Sequence, residues 1–487
     1  MRVVGSFIDV LRRIRLKLNT AKALNDATLK NRSLKTELHC PETHIKGETG
    51  TVTTVTPPRE WLWTKRTKID VEFDKLSSLP EQQQNAVFWQ NLKRVLLICG
   101  GQEKPGELED KFVMEASGKI VEIMEAQRFV KDVFAAMDVP WDSATDMADS
   151  LIAADYMGHR SMGIHRLPSI AADLLNSTIT ASAMPEIIKE KPSVALVDGC
   201  NAPGPVVGKF CMDLALRKAR TVGIGWVGAR HSNCIGMASW YAWRALDQRM
   251  IGVCMSNAAP TLVPAGGIEA VLGENPIACA ASGAKEQFVA DFGMSAVSVA
   301  DLELSYCNGN AKQLPPLTAL DSEGTETTFT AEALRSQRLR AFQPEYKGFG
   351  LAAMVDIMCG VMTGARYATR LQHRGVYNAD NAPANLGQVF IAIDPMRFCA
   401  SFEDRLIDFH RLLRSATPCQ KDLPPLVPGD KEFAHMQAVD DQGGLFMSPC
   451  TLGVLKELAE QLNIEPLQMK PVHYGPDDHF SWPKGNF

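Results

Sequence analysis

Several large protein classes are excluded by what this 487-residue chain does not contain. No apolar run approaches the roughly 18 residues that a membrane-spanning helix needs, and Val95 to Cys99 is far too short. The 12 cysteines include no CxxC pair and no Cys/His cluster at zinc spacing, so no metal site is expected. A net charge of −5 gives no general attraction to nucleic acid or to an anionic membrane. There are no internal repeats. Cys211, Cys254, Cys279, Cys359 and Cys399 lie in apolar surroundings and read as small core residues. That usage fits a reducing compartment, and the expected location is cytoplasmic.

What is present is a soluble globular composition, 45% hydrophobic and 22% charged, in a chain long enough to bury a large core. Charge is unevenly placed. Residues 1–36 carry nine Lys/Arg against Asp9 and Asp26, a net of +7 that leaves −12 for the remainder. The opening VVGSFIDVLRRIRLKL is patterned as a basic amphipathic helix of the kind mitochondrial presequences use, and a poorly ordered extension is the alternative. Thr51 to Pro58 is a Thr/Val/Pro stretch and Gly100 to Gly106 is rich in Gly and charge. Trp61, Trp63, Phe88 and Trp89 between them are candidates to dock on a folded body. The expectation is an N-terminal extension over 1–120, largely linker or disordered, a folded domain over 121–465 and a C-terminal tail over 466–487.

From Val121 the patterning tightens. Phe129, Val133, Phe134 and Met137 recur at helical spacing, and Asp142 or Ser143 can cap a second helix carrying Ala144, Met147, Leu151 and Ala154. Strands are expected at Val194–Asp198, Val222–Val227, Ile251–Asn257, Pro276–Ala281, Phe288–Phe292 and Val389–Asp394. Further helices are expected at Val206–Ala219, Ile235–Leu246, Phe349–Thr363 and Thr451–Leu462. This alternation predicts an α/β fold. Gly223-Ile224-Gly225-Trp226-Val227-Gly228 matches GxGxxG literally. A dinucleotide fingerprint needs a strand that ends at the first glycine and a helix that opens over the pyrophosphate. Here a basic helix precedes the glycines and Val222, Ile224 and Trp226 alternate as a strand through them, so a Rossmann fold is not expected.

GHRSMGIHRLP, Gly158 to Pro168, resembles the GHxSHGxxRLP segment of the malate/L-lactate dehydrogenase type 2 family. Those NAD(P)-dependent oxidoreductases include sulfolactate, ureidoglycolate and diketogulonate reductase-like members. HSNCIGMASWYAWRALDQRMIGVCMSN (His231 to Asn257) is similar to the family's SNHFG-helix-GxIGxxxTN block, and PAGGIEAVLGENPIA (Pro264 to Ala278) to its PxGGxExxLGTNPIA block. VADFGMS, KGFGLAAMVDIMCGVMTGA, NLGQVFIAIDPMRF and PGDKE follow in the family's order. The resemblance spans about Val121 to Leu462. It implies a homodimer with a non-Rossmann mixed sheet flanked by helices and a helical N-terminal part. It also implies NAD or NADP as cofactor and a small 2-oxo or 2-hydroxy acid as substrate.

The same resemblance places residues. Arg166 matches the arginine that binds the substrate carboxylate, a task suited to the bidentate guanidinium fork, and a surface or pairing arginine is the plainer alternative. Gln287, Phe288, Val289, Ala290, Asp291, Phe292 and Gly293 match a cofactor-contacting segment. In it, Asp291 can orient an imidazole, substrate or nicotinamide, or simply accept a hydrogen bond at a strand end. Tyr346 and Lys347 match a second cofactor contact. Gly429, Asp430 and Lys431 match a third, for which an exposed turn is an equally good account and where Asp430 is a poor phosphate neighbour.

Three departures stand out. Met162 occupies the position of the family's proton-carrying His, and a thioether carries no proton near neutral pH. Cys234 replaces the His of SNHxG. Glu274 replaces the Thr of GTNP, and an added carboxylate there would repel an acidic substrate or phosphate unless it faces solvent or pairs with a base. His159 and His165, three residues either side of Met162, share its face if the segment is helical, and are the replacement candidates. Either is otherwise a structural histidine. The enzyme reading competes with a catalytically inactive member that binds a dinucleotide or a protein partner.

Overall fold

The computed structural model describes residues 118–283, 286–308, 313–371, 382–419 and 424–471. The expected basic helix, the docking tryptophans and the last part of the tail lie outside the described residues. The chain opens with β1 (Lys119–Val121), then α1 (Ile123–Ala135), α2 (Trp141–Tyr156) and α3 (Leu167–Leu175). Phe129, Val133 and Phe134 are fully buried on one face of α1, as their spacing predicts. Each such side chain stabilises the fold by about 1.5–3 kcal/mol. Helix α2 starts one residue before the expected caps. Pro140 stands at its N-cap with φ −54° and no side chain caps it, because the proline ring already sets the entry angle.

Next come β2 (Glu186–Glu190), β3 (Val194–Asp198), α4 (Gly204–Val222) and β4 (Ile224–Ser232). Val222, expected to begin a strand, ends α4 instead. Gly223 caps that helix in the left-handed region (φ 90°) and β4 runs straight through the remaining glycines. The GxGxxG match therefore holds no phosphate loop. Its glycines serve packing, since a Cβ on Gly225 would collide with the backbone of Ala215 in α4.

Then come α5 (Ser239–Trp243), β5 (Ile251–Ser256), β6 (Leu262–Val263), β7 (Ile277–Ser282), β8 (Gln287–Phe292) and α6 (Val299–Cys307). The helix expected over Ile235–Leu246 is thus short, because Gly236 takes φ 68° and holds its first residues in a loop. The remaining elements are β9 (Ala319–Leu320), β10 (Glu326–Thr327), α7 (Thr330–Ser336), β11 (Arg338–Arg340), α8 (Glu345–Asp356), β12 (Leu386–Ile393), α9 (Phe402–Arg414), α10 (Asp430–Gln442), β13 (Leu445–Met447), α11 (Pro449–Leu462) and β14 (Lys470–Pro471). Helix α8 continues as a π-turn over Ile357–Val361.

Seven strands form one mixed sheet in the order β2-β3-β4-β12-β5-β7-β8, with only β3 and β4 parallel. β12 is buried along its length and alternates faces. Phe390 and Ala392 join the cluster under α4 and α5, while Val389 and Ile391 join the cluster under α8. A second core joins α1, α2 and α3 to α11, so the helical part is built from both ends of the domain. β1 pairs with β13 and β14, which brings Lys119, Ile120, Lys470 and Pro471 into the folded body. Strands this short, paired across the whole domain, leave no local signal.

One cysteine expectation needs correction. Cys307 at the end of α6 and Cys450 at the start of α11 are joined in a disulfide across 143 residues, with Cα atoms 6.1 Å apart. Only the tertiary fold brings them together. Cys211, Cys254 and Cys359 are buried as expected, whereas Cys279 and Cys399 are partly exposed.

Candidate active site

Asp155, one residue before the end of α2, is buried, and its Oδ2 accepts the Ile164 amide at 2.7 Å. A side chain at position 163 would collide with the same carboxylate, so only glycine lets the chain fold back here. The segment Gly158 to Pro168 therefore makes two short 3-10 turns, Arg160–Met162 and Ile164–Arg166, broken at an extended Gly163. The expectation that His159 and His165 share one helical face with Met162 is corrected by this break. Burial, opposed by the Ile164 hydrogen bond and the Arg160 charge, pushes the Asp155 carboxyl up to about 7.

The two histidines sit in opposite electrostatic settings. His159 Nε2 lies 3.6 Å from Glu432 Oε1 in the first turn of α10, an ion-pair distance longer than a hydrogen bond. Burial disfavours the charged ring, but Glu432, Asp291 and Asp301 outweigh it and hold the pKa above histidine's ordinary value. At His165, burial and the charge of Arg166 act together against Glu303 and push the pKa down to about 4. His165 is therefore an uncharged imidazole at neutral pH. Met162 is partly buried against the sheet core. Its carbonyl oxygen lies near Gly236, where a Cβ would stand 3.9 Å away, so the loop bearing the exposed Cys234 adjoins the Met162 turn.

Arg166 is already engaged: its Nη1 pairs with Glu303 Oε2 on α6. Glu274 is partly exposed and pairs with no base among the described residues. Its Oε1 accepts the Val299 amide at 2.9 Å, at the first residue of α6, where a helix start favours an anion. Burial, opposed by that hydrogen bond and aided by Asp301 and Glu303, pushes the Glu274 carboxyl up to about 7. Asp291 Oδ2 accepts the Ser239 amide at 2.7 Å, which satisfies the plainer account of that residue while leaving it close enough to act on His159.

Two of the three expected cofactor segments meet at one edge of the sheet. β8 is the edge strand, and Val289 donates its amide to the Pro428 carbonyl at 3.1 Å. Gly429, with φ 108°, passes so close that a Cβ would stand 3.2 Å from the Val289 nitrogen. Asp430 is engaged within the protein. It accepts the Val427 amide at 2.8 Å and the Arg414 guanidinium at 2.7 Å, so its charge is already met. Lys431 is exposed. Tyr346 and Lys347 are exposed in the first turn of α8, and the Phe342 amide ties the approach to that helix to the Met294 carbonyl at 3.0 Å, one residue past Gly293.

A model of the malate/L-lactate dehydrogenase family matches residues 121–455. The chain belongs to the malate/L-lactate dehydrogenase family. It is 32% identical over 347 residues to malate dehydrogenase of Pyrococcus horikoshii, covering 70% of this chain and 94% of that one. It is 32% identical over 343 residues to L-sulfolactate dehydrogenase of Methanocaldococcus jannaschii, covering 69% and 96%. The solved malate dehydrogenase of Pyrococcus horikoshii OT3 superposes with a TM-score of 0.66 at 29% identity over 73% of this chain and 99% of that one. Membership fixes the fold as the family's mixed sheet flanked by helices, and implies a nicotinamide cofactor.

Three residues of this family member were not legible as site residues in the sequence. Asp155 gives a signal only through its place just before Gly158-His159. Glu432 closes the quoted PGDKE block, but nothing in that block pairs it with a histidine 273 positions earlier. Glu303 lies on a helix with no motif at all. Among the described residues, no group of three or more His, Cys, Asp or Glu could hold a metal ion, and no helix is long and apolar enough to cross a membrane.

Proposed function

We propose that the chain is an NAD(P)-dependent oxidoreductase of a small 2-hydroxy/2-oxo acid in which His159 carries the proton that the family assigns to the position of Met162. The observation that supports this is the convergence of Glu432, Asp291 and Asp301 on the His159 ring, which favours an imidazolium near neutral pH. With Nε2 directed at Glu432, the proton on Nδ1 is the one available to a substrate carbonyl oxygen. His165 is a poor donor because its ring stays neutral. Arg166 would bind the substrate carboxylate through its guanidinium, beside Glu303.

Residues Gln287–Gly293, Gly429–Lys431 and Tyr346–Lys347 would hold the dinucleotide, which supplies or accepts the hydride when bound. Their fit rests on the close backbone approach at Gly429, on the exposed Lys347 and Lys431 as phosphate partners, and on the buried Gln287 Oε1, which has no hydrogen-bond partner among the described residues. The family's expected homodimer is supported by an exposed apolar row on α8 and its π-turn, formed by Leu351, Met354, Ile357 and Val361.

A second reading, a member that binds a dinucleotide without turnover, is favoured by the Arg166–Glu303 pair, which occupies part of the carboxylate-binding fork. Following nicotinamide absorbance with a panel of 2-oxo acids, beside NADH and NADPH titrations of the full chain, separates the two. Turnover lost in His159→Gln supports the first, and cofactor binding without turnover supports the second.

A further inference from the structure

We propose that Glu303 sets the substrate class of this site: an acid with one carboxylate and a neutral or cationic tail, with dianionic acids disfavoured. This rests on the acid-binding role given to Arg166 above. The relatives compared with the chain are named for malate and sulfolactate, both of which carry a second anionic group. In this chain the Arg166 guanidinium meets the carboxylate of Glu303 at Nη1. Helix α6 packs against the Arg160–Met162 turn, so Glu303 stands on an element that lies against the candidate proton carrier's segment.

Its neighbours carry the same sign. Asp301, two residues earlier, closes the capping box of α6 with Ser298, and Glu274 holds the Val299 amide of the same helix end. Arginine has five N–H donors, so one substrate carboxylate can share the fork with Glu303. A second anionic group a few ångströms further on meets Glu303 at like charge. Even with strong dielectric screening, that juxtaposition is worth about tenfold or more in affinity. An ammonium in the same place gains by a similar factor. Malate and sulfolactate present the first case, lactate presents neither, and 2-hydroxy-6-aminohexanoate presents the second.

The test is equilibrium titration of the full chain, saturated with NADH or NADPH, whichever binds, with L-malate, L-lactate and 2-hydroxy-6-aminohexanoate. The wild type is expected to bind malate at least tenfold more weakly than the amino acid analogue and more weakly than lactate. Glu303→Gln, which keeps the shape and removes the charge, is expected to raise the malate-to-lactate affinity ratio about tenfold and to lower the preference for the ammonium tail. Glu303→Ala should give the same shift in ratio if charge rather than shape acts. Wild-type malate binding as tight as lactate binding, or an unchanged ratio in both variants, would overturn the proposal. A dinucleotide-loaded chain that binds none of the three acids, before or after substitution, would overturn the acid-binding reading of Arg166 itself.

Discussion

The carboxylate of Asp155 fills the space into which any side chain at Gly163 would project, and its Oδ2 holds the next amide, that of Ile164. The turn that carries Met162 and Arg166 is therefore wrapped around one buried acid. Gly163→Ala is expected to destabilise the chain by about 3 kcal/mol, since the carboxylate it meets belongs to a short, buried side chain held by the Ile164 amide. Urea denaturation of the variant measures this, and a loss under 1 kcal/mol (about the size of a surface change) would refute the argument.

Asp155 also makes stability depend on pH. Its folded pKa, raised to about 7, lies above the unfolded value, so the folded state holds a proton that the unfolded state has lost. The contribution is fully present below the unfolded pKa and is lost as pH rises towards and through about 7. Asp155→Asn keeps an acceptor for Ile164 and removes the titration. Relative to wild type, its melting temperature is expected to rise from pH 5 to about pH 7 and to level off above it. A difference that stays flat across that range would show that Asp155 is ionised throughout.

A separate pH effect belongs to catalysis. If His159 carries the proton, as proposed, carbonyl reduction needs its protonated ring and the rate falls as pH rises through that pKa. Glu432 is one of the charges that raise it, acting as a positioning residue across 3.6 Å. Glu432→Gln is expected to move the alkaline limb of kcat/KM for reduction to lower pH by about one unit, with Glu432→Asp in between. A limb that does not move would detach the limb from His159.

Much of the sheet was legible in sequence because its strands are long and buried enough to show their pattern. Leu386 to Ile393 alternates between two cores, and the glycine run at Gly223 to Gly228 could be read as strand rather than phosphate loop from the helix before it. The site was legible only in part. Arg166, Asp291 and Gly429 could be placed by motif, but what each touches depends on residues far away: Glu303 for the first, Ser239 for the second, Val289 for the third. The difference between His159 and His165 is likewise invisible in sequence. It comes from carboxylates on α10, β8 and α6 that only the fold assembles.

The Cys307–Cys450 link joins the end of α6, which carries Glu303, to α11 in the helical core. A cross-link across so long a loop typically stabilises by about 2–4 kcal/mol. Dithiothreitol is expected to lower the wild-type melting temperature, and Cys450→Ala is expected to melt lower and ignore the reductant. Equal melting with and without dithiothreitol, under conditions that unfold and expose the pair, would show that the two thiols are not linked in solution.

If His159 has taken over the proton, His159→Gln should reduce turnover of a 2-oxo acid by about 10²-fold or more, the usual worth of general acid–base help. The turn around Asp155 and Gly163 fixes the backbone of position 162 regardless of its side chain, and methionine and histidine are similar in bulk, so Met162→His should fold. In the His159→Gln background it should restore most of the lost turnover, because it returns an imidazole to the place where the family carries its proton. Rescue of that kind would mean that the hydride and carboxylate parts of the site are intact and that only the proton carrier has moved. No rescue, in a double variant that still binds the dinucleotide and melts like wild type, would mean that the site around position 162 no longer reaches the substrate oxygen. Turnover undisturbed by His159→Gln alone would remove His159 from the mechanism.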